Sequence, residues 1–127
     1  MKKTIVSTNN APKAVGPYSQ AVAYNGLVYT SGTMPLDPNT GAVVDGGIQC
    51  QAKQALDNLS EVLKEAGSCI DNVIKTTVFI KDMNDFSIVN EIYSNYFKTD
   101  CPSRSCVEVA RLPKDVLFEI ECIAICK

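Results

Sequence analysis

Arg104 follows Cys101-Pro102-Ser103 and leads into the run SRSCVEVARLPKD, Ser103–Asp115. Proline has no amide hydrogen for a ladder, so a strand is expected to begin only after Pro102, with the arginine at its mouth. A guanidinium held there offers a planar fork of donors suited to a carboxylate. The plain alternative is a solvated arginine at a strand end. Glu119 and Glu121 share one alternating face of Val116–Ile125 with Leu117, Ile123 and Ile125. A carboxylate on a largely apolar face is costly unless it is paired or has a task. With a raised pKa beside a pocket it suits a general base or a water-orienting group; an interface or rim salt bridge is the alternative. Asn90 falls near the apolar stripe of a helix, where it reads as a satisfied core amide or one tilted to the stripe's edge. Cys106 invites a nucleophile reading, but the chain has no histidine. Only Arg104 is placed to lower its pKa, so the thiol is expected to be structural. Arg111 is expected at a turn or interface. Tyr18 after Gly16-Pro17 and Ser31 at a strand end are, by themselves, ordinary loop residues.

These side chains need a scaffold, and its pieces are legible. Thr4–Val6 reads as a short strand. Tyr18–Tyr24 and Leu27–Ser31 flank Asn25-Gly26, a strong hairpin signal. Met34–Gly41 is a loop rich in breakers. Ile48, Ala52, Ala55, Leu56, Leu59, Val62, Leu63 and Ala66 form an apolar stripe about 100° wide, the mark of an amphipathic helix. Gly67 stands where a left-handed residue would end it, and Lys53, Asp57, Glu61 and Lys64 form its solvent face. Val73–Ile80 is a β-branched central strand. A second helix is expected from about Asn84 to Phe97, with Phe86, Val89, Tyr93, Tyr96 and Phe97 on one stripe and Asp82 or Asn84 as N-cap. Ser105–Ala110 and Val116–Ile125 are two further strands joined by a tight turn at Leu112–Asp115. The order βββαβαββ argues an α+β fold, with two helices on one face of a mixed sheet. Both faces of Val116–Ile125 are mostly apolar. The face away from the helices therefore needs another cover, which subunit association would supply.

The 127 residues read as one domain, 1–127, long enough to bury roughly two-thirds of the unfolded surface. A net charge of −2 with scattered charges leaves no basic stripe for a nucleic-acid backbone. No apolar run approaches a membrane span. Ile5-Val6 gives way at once to Ser7-Thr8-Asn9-Asn10, unlike the apolar centre of a signal peptide, so a cytoplasmic location is expected. Six cysteines form no CxxC pair. Cys122 and Cys126 stand about 13 Å apart along a strand, too far for a bridge or a shared metal. Reduced, structural thiols and no metal site are expected.

SRSCVEVARLPKD, together with GPYSQA at Gly16–Ala21 and TSG at Thr30–Gly32, closely resembles the Rid family of reactive intermediate deaminases, its RidA-type branch in particular. The resemblance spans nearly the whole chain. It implies a fold like that of the trimeric bacterial chorismate mutases and a homotrimer with pockets at the subunit interfaces. It implies hydrolysis of the enamine/imine pairs 2-aminoacrylate/2-iminopropanoate and 2-aminocrotonate/2-iminobutanoate to 2-keto acids and ammonia, a metabolite damage-control task. In that likeness Arg104 clamps the substrate carboxylate with help from the Cys106 backbone N–H, and the Arg104 carbonyl accepts from the imine N–H. Glu119 places the attacking water, Tyr18 closes over the ligand, Ser31 and Gly32 contact it, and Asn90 lines the pocket. Cys101 and Ser103 around Pro102 depart from the aromatic or alanine that relatives often carry, which touches side-chain preference rather than the clamp. A protonated imine carbon is already electrophilic, so positioned water suffices and no metal or cofactor is expected. The main alternative is a non-catalytic protein that binds 2-keto acids or hydroxy amino acids through the same arginine. An endoribonuclease, claimed for some relatives, would lack both a basic groove and a histidine. A redox-triggered holdase would draw on the cysteines or on exposed apolar surface.

Overall fold

The computed structural model describes residues 2–127. Asn25 and Gly26 have φ of 53° and 81°, the left-handed pair that a two-residue hairpin turn needs. They join strands β2 (Ala21–Tyr24) and β3 (Leu27–Thr30), with Tyr24 opposite Leu27. β1 (Thr4–Val6) pairs antiparallel with β2, β6 (Phe118–Ile125) with β3, and β4 (Val73–Ile80) with β6. β5 (Ser103–Glu108) runs parallel to β4, giving a six-stranded mixed sheet in the order β1-β2-β3-β6-β4-β5. That parallel pair requires a crossover, and helix α2 (Phe86–Ser94) supplies it.

Helix α1 (Gly47–Glu65) buries Ala52, Ala55, Leu56, Leu59, Val62 and Leu63, as its stripe requires. Its leucines are fully buried, each worth about 1.5–3 kcal/mol of burial. Gly67, at φ 76°, ends it: its N–H bonds to the Lys64 carbonyl at 3.0 Å, and the Ser68 N–H to that of Leu63 at 2.8 Å. The solvent face does more than meet water. Asp57 pairs with Lys53 and also accepts from the Tyr96 hydroxyl at 2.6 Å, tying α1 to the segment after α2.

Several boundaries differ from the sequence reading. The second helix is shorter than 84–97. Asp82 caps a 3₁₀ turn, Met83–Asp85, through the Asn84 N–H at 2.9 Å. At the other end the chain turns so that buried Phe97 packs on Tyr93, ring centroids 4.4 Å apart. β5 starts directly after Pro102, at Ser103. β2 starts at Ala21 rather than Tyr18, because Tyr18–Gln20 belong to the loop that the Gln20 side chain organises. β6 starts at Phe118, because Val116 is drawn into a small second core with Leu36 and Leu112.

Alternation sorts the sheet into two faces. Phe118, Ile120, Cys122 and Ala124 of β6, with Thr76, Val78 and Ile80 of β4, lie buried on the face that carries both helices. Glu119, Glu121, Ile123 and Ile125 lie on the other, opposite Phe79, Thr77 and Lys75 of β4 and Leu27 of β3. There Tyr29 is 44% exposed and Ile125 51%. The second core covers only the Phe79 end of this face. Among the described residues, no helix is long and apolar enough to cross a membrane.

Candidate functional site

Arg104 stands opposite Thr76 in the β4–β5 register, and so on the helix face of the edge strand. Phe86, Asn90 and Tyr93 recur at four- and three-residue spacing on α2 and meet it from above. The guanidinium lies over the Tyr93 ring at 4.8 Å and near the Phe86 ring at 5.5 Å, while Nη1 donates to Asn90 Oδ1 at 2.8 Å. Tyr93 is itself fixed by a 2.8 Å hydrogen bond between its hydroxyl and the buried Thr76 hydroxyl, and burial pushes its pKa up. The ion pairs among the described residues join Lys53–Asp57, Lys64–Glu61 and Arg111–Asp115. Arg104 is thus steadied by two ring faces and a neutral amide, and among the described residues no acidic side chain pairs with it. Cys106 follows on the same face, opposite Val78. Burial pushes its thiol up more than Arg104 pulls it down, which fits a structural thiol better than a nucleophile.

A second group sits elsewhere. Tyr18, Ser31, Gly32 and Glu119 line an open cleft of about 400 Å³, with Lys114 at its rim. Glu119 lies opposite Phe79, on the face without helices. Its carboxylate rests directly on Gly32: a Cβ there would stand 2.7 Å from Glu119 Cδ and 3.2 Å from Cγ. Glycine here leaves the Glu119 carboxylate its place; a methyl would make that flexible side chain shift. Burial, and secondarily the charge of Glu121, holds the Glu119 carboxyl above its ordinary value. The Ser31 hydroxyl donates to the Ser19 carbonyl at 2.6 Å, so its hydrogen is turned to the loop and only its lone pairs remain for a ligand. Tyr18 is exposed, its hydroxyl accepting from the Val15 N–H at 3.3 Å.

One chain therefore brings the expected residues together in two clusters, Arg104–Asn90–Cys106 and Tyr18–Ser31–Gly32–Glu119, on opposite faces of the sheet. Arg111 stays in its turn, gripping Asp115 through Nε at 2.7 Å and Nη2 at 3.2 Å. All six cysteines are free thiols, and burial raises Cys122 to about 12. Among the described residues, no group of three or more acidic, histidine or cysteine side chains could hold a metal.

Sequence reasoning missed two features. It read Phe86 and Tyr93 as core, although their spacing with Asn90 was the signal of a box around Arg104. It also passed over buried amides that hold the cleft's loops. Asn58 donates to the Met34 and Leu36 carbonyls at 3.0 and 2.9 Å, and Gln51 accepts from the Leu117 N–H at 2.7 Å. Both stand within the apolar stripe of α1, seven residues apart, and that misplaced polarity was the available clue.

Comparison with known proteins now adds to this geometry. The family described as Endoribonuclease L-PSP matches residues 8–126. A RutC family protein of Synechocystis is 56% identical over 98% of both chains. The human 2-iminobutanoate/2-iminopropanoate deaminase is 50% identical over 97% of this chain and 90% of its own. A solved Yersinia pestis structure, described as a protein of unknown function of the conserved Rid protein family, superposes with a TM-score of 0.95. It has 49% identity and covers 98% of this chain and 99% of its own.

Proposed function

The chain belongs to the Rid family, whose model bears the description Endoribonuclease L-PSP, and from that premise we propose that it hydrolyses 2-aminoacrylate and 2-aminocrotonate, through their imines 2-iminopropanoate and 2-iminobutanoate, to 2-keto acids and ammonia. The reading follows relatives named for this activity, at 50–51% identity. The observation that carries it is that the chain holds an arginine with no acidic partner among the described residues and, on the other face of the sheet, a carboxylate desolvated by burial, the two groups that hydrolysis of an anionic imine uses.

Arg104 binds the substrate carboxylate through its free donors, the Cys106 N–H assists, and the Arg104 carbonyl takes the imine N–H. Glu119 accepts a proton as water adds to the imine carbon. The C–O bond forms, the C=N π pair moves to nitrogen, and the carbinolamine nitrogen is protonated. Collapse breaks the C–N bond, releasing ammonia and leaving the ketone. Burial moves the Glu119 carboxyl upward, the direction that strengthens it as a proton acceptor. Tyr18, Ser31, Gly32 and Asn90 shape and close the pocket.

Because Arg104 and Glu119 face opposite sides of one sheet, the working pocket is built from two chains, Arg104 of one and Glu119 of its neighbour. The half-covered face bearing Tyr29, Ile123 and Ile125 is the contact of a closed homotrimer of chorismate-mutase-like architecture. Six free thiols suit a reducing, cytoplasmic setting. RNA cleavage has less support, since net charge −2 and no histidine offer neither a backbone track nor an imidazole.

The test is to add the protein to a serine or threonine dehydratase reaction and follow ammonia and keto acid. Faster release than the spontaneous rate, abolished by Arg104→Ala, is expected. An unchanged rate at saturating protein, with the keto acid still bound in calorimetry, would favour a binding protein instead.

A further inference from the structure

Residues 7–20, between β1 and β2, lack regular secondary structure, yet they carry Tyr18 to the cleft. What fixes this loop is the side chain of Gln20, which is 9% exposed. Its Oε1 accepts from the Thr8 N–H at 2.7 Å. Its Nε2 donates to the carbonyls of Thr8 at 3.1 Å and Pro12 at 2.8 Å, with Ala11 at 3.5 Å beyond them. The partners fix the amide's orientation, since the reverse would set its NH₂ against the Thr8 N–H. Residues further along the loop close on Tyr18: the Val15 N–H donates to its hydroxyl, and the Tyr18 N–H turns back to the Gly16 carbonyl at 2.8 Å. The Gln20 carbonyl accepts from the Ser31 N–H at 3.0 Å, joining the loop to the residue before Gly32.

We propose that Gln20 is a positioning residue, whose buried amide fastens residues 8–12 so that Val15 meets the Tyr18 hydroxyl and holds that ring at the cleft formed by Ser31, Gly32 and Glu119. This rests on the reading of that cleft as part of the deaminase pocket. The chemistry demands an amide of this length. One acceptor and two donors are engaged; glutamate offers no donor when ionised, leucine offers neither group, and asparagine is one methylene short. Buried backbone groups left without partners destabilise the loop locally, and the loss passes to Tyr18 through Val15.

The test is a double-mutant cycle on the full chain. Gln20→Leu and Gln20→Glu are each made with Tyr18 intact and with Tyr18→Ala. Steady-state kinetics are read beside the Tyr18 resonance in protein carrying ¹³Cζ-tyrosine, which has five such signals. With Tyr18 present, each Gln20 variant lowers kcat/KM roughly tenfold or more, and with Tyr18→Ala by less than about twofold, as for two residues in one network. The Tyr18 signal shifts while those of Tyr93 and Tyr96 stay. Equal losses in both backgrounds, or an unmoved Tyr18 signal, overturn the proposal. If Tyr18→Ala alone turns over like wild type, the pocket role of Tyr18 fails, and the resonance by itself decides whether Gln20 holds the ring. Should Gln20→Leu not fold, Gln20→Glu, which keeps shape and acceptor, carries the test.

Discussion

The two clusters are built by different means. Arg104 stands on a strand, beneath a helix, held by the Phe86 and Tyr93 rings and the Asn90 amide, and Tyr93 is itself fixed by Thr76. Glu119 stands on a strand too, but its companions are loop residues. Their positions depend on single buried side chains: Asn58 for Met34 and Leu36, Gln51 for Leu117, and Gln20 for the loop that bears Tyr18. The first cluster holds a fixed charge on regular elements, where placement is most exact. The second gathers a carboxylate and an exposed ring on loop segments, and under the proposed function these are the parts that hold water and close over the ligand. On that proposal, binding of the common carboxylate is separated from the chemistry at the imine.

Substitutions on the two sides should therefore differ in kind. The largest effect is expected at the carboxylate. Glu119→Gln keeps shape but cannot take a proton, so kcat should fall by about 10²–10⁴ while keto-acid affinity holds or rises. Equal losses in turnover and in calorimetric binding would make Glu119 a structural residue. On the other side, Arg104→Lys keeps the charge without the fork and should lower kcat/KM roughly ten- to a hundredfold, chiefly through binding. Near-wild-type turnover of 2-aminoacrylate by this variant would remove the clamp. Gly32→Ala sharpens the contrast. Its methyl displaces the Glu119 carboxylate and leaves Arg104 untouched, so kcat should drop about tenfold with binding preserved, the size expected for misplacement of a reacting group by a fraction of an ångström.

The smallest effect is one of stability. The folded chain holds the Glu119 proton more tightly than the unfolded chain, so stability falls as pH rises from the ordinary value of 4.5 through the raised folded value. Glu119→Gln should therefore melt higher than wild type at pH 7, and the difference should close below about pH 4.5 in thermal scans. A variant less stable at pH 7 would show the ionised carboxylate to be well partnered.

How far the sequence foretold all this follows the same division. The apolar stripe of α1, its Gly67 stop, the Asn25-Gly26 hairpin and the alternation of β6 were legible because each is a local rule acting within a few residues. Glu119 and Asn90 stood out as polar groups on apolar surfaces. Resemblance supplied their grouping with Tyr18, Ser31 and Arg104. The placement of Glu119 and Arg104 on opposite faces depends on the β4–β6 and β4–β5 registers, between strands far apart in sequence, which no local pattern encodes. Gln20 was missed for a related reason: it satisfies backbone groups of another segment, visible only once that segment is in place. The spread of Arg104 over Phe86 and Tyr93 likewise required α2 to cross above β5.

The central claim, that one pocket takes Arg104 from one chain and Glu119 from its neighbour, is tested by mixing subunits. Arg104→Ala and Glu119→Gln proteins, each nearly inactive alone, are unfolded, combined in equal amounts and refolded. If the pocket spans two chains, random assembly restores about one site in four, and deaminase activity should return toward a quarter of the wild-type level. If one chain supplies both residues, the mixed assemblies would remain as inactive as the parents.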